Sequence, residues 1–308
     1  MKRIAIYYDG GRIAGRNDGN PLYIWAALKR RQEKGLLEVE HLAPTGDLSK
    51  FGEFDLHIWV DWGEDGLEIP YKMLFPPGRP LVYWASDTHL GYDYRLKCAK
   101  QADFAFAAQI EAVADFKRDG VKNPILLPHA VEPEAYAYIE MPIKEYDVAF
   151  IGFINSRNRV DALDALFKAV PNFYFGQRRF EEAADIYRRS KIVFNISMRK
   201  ELNMRVFEVM ATGSMLLTDD IPMIHQFFKD GVHMVTYKDE KDMIEKAKYY
   251  IEHDEERQKI AEAGMKEVLA HHTIDHRLDV ILKEAGILCY DDEKGAEEKP
   301  QIESKEEK

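Results

Sequence analysis

Short β-rich runs alternate with longer stretches of helical periodicity along nearly the whole chain. In the first half, apolar runs at residues 3–8, 37–41, 56–60, 81–85, 104–108 and 125–127 predict strands. Amphipathic patterns at 21–32, 92–102 and 110–118 predict helices between several of them. The second half restarts the pattern, with strands predicted at 147–152, 173–175, 192–196, 215–218 and 233–236. One long helical periodicity then runs from residue 242 to about 285. Strands alternating with helices build mostly parallel sheets covered on both faces, so the expected class is α/β. Residues 132–144 carry two prolines and little periodicity, which marks the break between halves. The expectation is a Rossmann-like domain over residues 1–140, a second over 141–288, and a Glu/Lys-rich tail over 289–308 too poor in apolar surface to order itself.

At 308 residues the chain has room for two domains. Its 43 Lys and Arg against 54 Asp and Glu give a net charge of −11. The last eighteen residues, with 8 acidic and 4 basic side chains, carry −4 of it. A protein that neutralises many DNA phosphates has the opposite sign, so general nucleic-acid binding is not expected; a local basic pocket for one phosphate ligand remains allowed. Cys98 and Cys289 are too few for a disulfide framework or a four-ligand zinc site, and fit a reducing, cytoplasmic compartment. The apolar run behind the basic N-terminus is about five residues long, a buried first strand rather than a signal peptide. No stretch approaches the roughly 20 apolar residues of a membrane span.

In open parallel sheets, ligands gather beyond the carboxyl ends of the strands. The polar residues expected there are Asp9, Gly10 and Gly11, then Asp61, Trp62 and Gly63, then Ser86, Asp87, Thr88 and His89. In the second half they are the residues from Gly152 to Arg159, including Arg157, and then Gly176, Gln177 and Arg178. Two such edges facing one another put the site in the cleft between domains. Gly10, Gly11 and Gly15 do not make a dinucleotide fingerprint, which needs glycine at position 12, where Arg12 stands. A tight turn with close backbone approach accounts for them.

The densest signal lies in residues 190–220. A buried strand leads through a polar loop to a helix that ends at Gly213, with Asn203 as its expected cap. Arg205 and Glu208 are three apart and share a face, with Glu201 one turn earlier. A self-satisfied surface charge row is the plainer account of them. The rest of the helix is apolar, however (Val206, Phe207, Val209, Met210, Ala211), so it is buried and its charges are not idle. A helix N-terminus beside an arginine suits a diphosphate.

These residues resemble the C-terminal signature of the GT-B glycosyltransferases, specifically the spore-maturation CgeB/YkvP-like group. The matching positions are Tyr187, Ser190, Asn195, Arg205, Phe207, Glu208, Ala211 and Gly213, and the likeness covers roughly residues 146–283. The first half matches in general architecture, as expected for the half that meets varied acceptors. The resemblance implies two Rossmann-like domains facing across a cleft, with C-terminal helices and a disordered acidic tail. It implies a nucleotide-diphosphate sugar held by the second domain and passed to an unknown acceptor, with no cofactor and no metal. Glu208 would then bond the donor ribose. Arg205 and the helix start at Asn203 would stabilise the leaving diphosphate, with Arg157 or Arg159 as a second phosphate contact. Gly176 would let the base lie against the backbone, and Gly11 would serve the donor from the first domain. The resemblance leans towards retention of the anomeric configuration. The E-x7-E pair of many retaining members would set a glutamate at position 200, where Lys200 stands and Glu201 follows one position late.

Other features have their own readings. Asp87 and His89 stand at a strand's carboxyl end, where a base or acceptor-orienting group is needed, and are the catalytic candidates. Trp62, beside Asp61, is placed for stacking on a sugar and the pair for acceptor binding. Trp25, Trp59, Trp84 and His57 read as core. Asp219 and Asp220 read as a polar strand end rather than a metal pair, and His272 and His276, four apart, lack a glutamate that would complete a zinc site. Two further functions fit the same fold: a nucleotide-sugar epimerase, and a non-catalytic structural or carbohydrate-binding protein. The Arg205/Glu208 pair argues against the latter.

Overall fold

The chain builds two parallel sheets, seen here in a computed structural model that describes residues 1–8, 19–42, 49–61, 78–141, 143–154 and 156–287. Gly11, Trp62 and the tail 289–308 lie outside the described residues. In the first half, β1 (Lys2–Tyr7), α1 (Asn20–Glu33), β2 (Leu37–Leu42), β3 (Leu56–Val60) and β4 (Leu81–Ala85) follow in order. They continue into α2 (Tyr92–Gln101), β5 (Phe104–Ala107), α3 (Ile110–Arg118) and β6 (Ile125–Leu126). The strands pair in parallel in the order β2-β1-β3-β4-β5-β6, so the strand order reverses between β1 and β3. All five residues of β3 and of β4 are buried, as central strands covered on both faces require, and this is why they read as unbroken apolar runs.

The second half comprises β7 (Tyr146–Ile151), α4 (Arg157–Ala169), β8 (Phe173–Gly176), α5 (Phe180–Arg188), β9 (Ser190–Asn195), α6 (Met204–Ala211), β10 (Met215–Asp219) and β11 (Val235–Tyr237). Its parallel order is β11-β10-β9-β7-β8, with the reversal between β7 and β9. At that switch point the ends of two neighbouring strands diverge and leave a crevice for a ligand. α6 stops where expected: Gly213 takes a left-handed φ of 74° and its N–H reaches the carbonyl of Met210 at 3.0 Å.

The single periodicity expected beyond residue 242 resolves into three helices, α7 (Glu240–Glu252), α8 (Asp254–His271) and α9 (Ile274–Glu284). Asp239 caps the first by accepting from the N–H of Asp242 at 2.9 Å, and a capping box between Thr273 and His276 starts the last. The breaks are one or two residues long, too short to disturb a hydrophobic periodicity.

α9 returns to the first half. Its Ile274, Leu278, Ile281 and Leu282 share one core with Tyr23, Ile24, Ala27 and Leu28 of α1. At the rim of that contact, Arg30 pairs with Glu132 at 2.8 Å and Asp275 at 2.5 Å, and Arg31 pairs with Asp275 at 2.7 Å. Two buried arginines fasten the connecting segment from either side. Arg277 donates to the carbonyls of Pro128 (2.8 Å) and His129 (3.1 Å), and Arg188 to those of Ala137 (2.8 Å) and Ala135 (3.2 Å). A buried guanidinium that satisfies several carbonyls fixes backbone more firmly than apolar contact does. Among the described residues, no helix is long and apolar enough to cross a membrane.

Candidate active site

The carboxyl ends of both sheets open onto one cavity of about 950 Å³. Its first-half wall is Ser86 and Asp87 after β4 and His129 beyond β6; its second-half wall includes Gly152 after β7, Arg178 after β8, and Asn203, Arg205 and Glu208 at α6. Asn203 occupies the N-cap position of α6, but its side chain does not cap the helix. It donates instead to Asn195 Oδ1 at 3.2 Å, so the N–H groups of the first helical turn are left without a side-chain acceptor at the cavity wall.

Arg205 sits at the centre of this wall. Asn195, buried on β9, accepts from Arg205 Nη1 at 2.7 Å and itself donates to Thr218 Oγ1 at 2.9 Å, which fixes its amide orientation. The guanidinium lies over the Phe150 ring at 4.9 Å. Its Nε is buried with no hydrogen-bond partner, as is the Oδ1 of Asn203. Gly152 makes this placement possible, because a Cβ there would stand 2.5 Å from Arg205 Nη2. Gly152→Ala should therefore displace the guanidinium, and it should also strain the backbone, because Gly152 has a φ of 157° and the new Cβ would stand 3.2 Å from the Phe150 ring. The expected result is a modestly lowered melting temperature and ligand binding at this wall weakened about tenfold or more; binding as in the parent would refute it.

Glu208, one turn along α6, accepts from the hydroxyl of Tyr23 on α1 at 3.3 Å, a bond that crosses between the halves. Tyr23 and Tyr136 both pack on Phe180, whose ring centroid lies 6.3 Å from each. Phe180 has a left-handed φ of 51°, unusual for a bulky residue, at the start of α5, where the cavity-lining segment 177–183 turns.

Asp87, His89 and Glu201 bring donor atoms within 4.8 Å of one another, two from the first half and one from the second. His89 Nδ1 stands 3.8 Å from Glu201 Oε2. Burial and the nearby Asp87 carboxylate push Glu201 up to about 7, and burial lowers His89. Lys200 has a left-handed φ of 58°, and Glu201, which follows it, lines the cavity. An uncharged Glu201 favours the folded state, so its contribution should be greatest below the unfolded pKa near 4.5 and lost as pH rises towards about 7. Glu201→Gln should thus match the parent in urea unfolding at pH 4 and exceed it at pH 8 by about 1–3 kcal/mol. A difference independent of pH would contradict this.

The remaining sequence candidates are dispersed. Arg157 is 84% exposed and pairs with Asp161 within its own helix, outside the cavity lining. Arg159 lines the cavity but donates to the carbonyls of Phe153 and Ile196, each at 2.8 Å, tying the loops after β7 and β9; burial and the nearby Arg205 lower it to about 10. Gly176 ends β8 and accepts from the N–H of Gly152 at 3.0 Å, one residue before the lining begins at Gln177. Asp61 is buried against Arg95 at 2.6 Å, and its carbonyl accepts from Ser86 Oγ at 2.8 Å, so it braces the loop that carries Asp87. Asp219 binds the N–H and hydroxyl of Ser197, whereas Asp220 binds His225 at 2.6 Å. His272 contacts Arg277 and His276 serves the capping box. His129 and Phe180, which line the cavity, and Tyr23, which donates to Glu208, escaped the sequence reading, because their places depend on contacts distant in sequence.

Two parallel sheets with their carboxyl ends across one cleft, and a chain that ends by crossing back, form the GT-B glycosyltransferase architecture. Residues 159–283 match the sequence family described as glycosyl transferase-like. The spore protein CgeB of Bacillus subtilis is similar at 24% identity over 281 residues, covering 79% of this chain and 84% of that protein. Among solved structures, Anabaena HepE in complex with UDP and glucose aligns with a TM-score of 0.66 at 13% identity, over 94% of this chain and 100% of that one. Sucrose-phosphate synthase from Thermosynechococcus elongatus aligns with a TM-score of 0.62 at 13% identity, over 92% and 99%.

Proposed function

We propose that the chain is a metal-independent glycosyltransferase that moves a sugar from a nucleoside diphosphate to an acceptor hydroxyl. The observation that carries this reading is Arg205, held by Asn195 at the uncapped start of α6 with its Nε unpartnered, one turn from Glu208. A fixed cation and free helix N–H groups supply the charge that a departing diphosphate needs. Glu208 accepts from the donor ribose in place of Tyr23. The HepE structures hold UDP, with glucose or as UDP-glucose, in the same fold, which makes uridine donors the first to test.

In the reaction, the bond from the anomeric carbon to the diphosphate oxygen breaks and a bond from that carbon to the acceptor oxygen forms. Asp87 accepts the hydrogen bond of the acceptor hydroxyl and orients it, with His89 neutral beside it. The acceptor proton leaves with the diphosphate, the course expected for same-face attack with retention. Glu201 lining the cavity with Glu208 supports that stereochemistry, since it restores a glutamate pair that the spacing alone lacks. Two cysteines in 308 residues support a cytoplasmic setting.

A panel of nucleotide sugars, incubated with the protein in EDTA and assayed for released nucleoside diphosphate, tests the proposal. Release from one donor, with water or an added simple sugar as the acceptor, is expected, and it should fall about a hundredfold or more in Arg205→Ala. Isomerisation of the sugar without release would favour an epimerase, and release only after manganese or magnesium is added would move the chemistry to Asp87, His89 and Glu201.

A further inference from the structure

One group on the cavity wall has no part in the reaction just described. His129 follows β6, and its backbone is clamped by Arg277, whose Nη2 donates to the His129 carbonyl at 3.1 Å. Its ring is buried and lines the cavity with Asp87, Tyr136, Arg205 and Glu208. The side chain behind it is Asn20, the first residue of α1 and fully buried. Asn20 Nδ2 lies 3.0 Å from His129 Nδ1, closer than Oδ1 at 3.4 Å. With the amide nitrogen donating, Nδ1 is the acceptor and the ring proton resides on Nε2.

We infer that His129 is a specificity-determining residue, a neutral donor whose Nε2–H, fixed by Asn20, hydrogen-bonds an oxygen of the sugar being transferred. The inference rests on the glycosyltransferase reading. The phosphate and ribose are served from the opposite wall by Arg205 and Glu208, and His129 stands beside Asp87 on the wall that faces the transferred group. A neutral imidazole is a poor partner for a diphosphate but a good one for an uncharged hydroxyl or ring oxygen. The charged groups acting on the ring are Asp87 on the same wall, which raises it, and Arg277 behind its backbone; burial, with Arg277, outweighs Asp87 and holds the imidazole below its ordinary range, and therefore uncharged.

The test compares UDP with UDP-glucose by titration calorimetry on the full chain. His129→Ala should leave UDP affinity unchanged, which also reports an intact fold, and weaken UDP-glucose about three- to tenfold. His129→Gln, which keeps a donor at similar reach, should recover most of that loss. Asn20→Asp adds a sharper signature. Its carboxylate draws the ring proton to Nδ1, so above the imidazole pKa Nε2 becomes a bare acceptor. UDP-glucose affinity of that variant should then fall as pH rises from 6 to 9, while its UDP affinity follows the parent's. If His129→Ala changes UDP and UDP-glucose equally, or neither, the inference is overturned and the glycosyltransferase reading stands. If the parent binds no nucleoside diphosphate and no nucleotide sugar of the panel, both fall.

Discussion

Arg205→Ala should lower turnover by about a hundredfold or more while weakening donor binding much less. In the proposed reaction the guanidinium faces a charge that grows as the bond to the diphosphate breaks, so its removal would cost most in the transition state. Asn195 fixes Nη1 at 2.7 Å and Phe150 supports the plane from below, so the cation is in place before the donor arrives. Little reorganisation is then needed at the moment of reaction. Arg205→Lys should recover little, because a lysine ammonium cannot reproduce the planar contact with both Asn195 and Phe150. Steady-state kinetics with the active donor separate the two effects, and a fall in affinity as large as the fall in turnover would reduce Arg205 to a ground-state contact.

Glu208→Gln is expected to act the other way, on donor affinity. The change removes a charge without altering volume, and losing a charge-assisted hydrogen bond costs about 1.5–3 kcal/mol, or roughly ten- to hundredfold in binding. Glu208 is half-buried and already holds the Tyr23 hydroxyl at 3.3 Å, so it is presented as an acceptor across the junction of the halves. Tyr23→Phe should have a small effect by comparison, because in the proposed reaction the donor ribose takes the place of that hydroxyl. Competition binding with nucleoside diphosphate measures this directly; a Gln variant that binds as the parent does would take Glu208 out of the site.

The periodicity of the chain was enough to locate nearly every strand, because parallel strands buried on both faces are continuous apolar runs of a kind that helices do not share. Leu56–Val60 and Leu81–Ala85 are the clearest cases, with bounds identical in sequence and structure. Helix breaks at His253 and Thr273 were not legible, since caps act on single N–H groups and leave the apolar stripe continuous. The placement of Arg205 and Glu208 on one face of one helix could be read from their spacing. Their partners could not: Asn195, Gly152 and Tyr23 reach them through sheet register and domain contact. The same holds for Asp61, which reads as a ligand residue at a strand end and proves to be neutralised by Arg95, thirty-four positions away. Glu201 stood one place out of register with its expected position, yet it lines the cavity, next to the left-handed backbone at Lys200.

Titration of the nucleoside diphosphate of the active donor into the protein in EDTA, repeated with Glu208→Gln, tests most directly whether this cleft is a metal-independent nucleotide site. Binding should occur without any divalent ion, at one site per chain, and weaken by about ten- to hundredfold in the variant. Binding that requires added magnesium or manganese, or that is unchanged by Glu208→Gln, would contradict it.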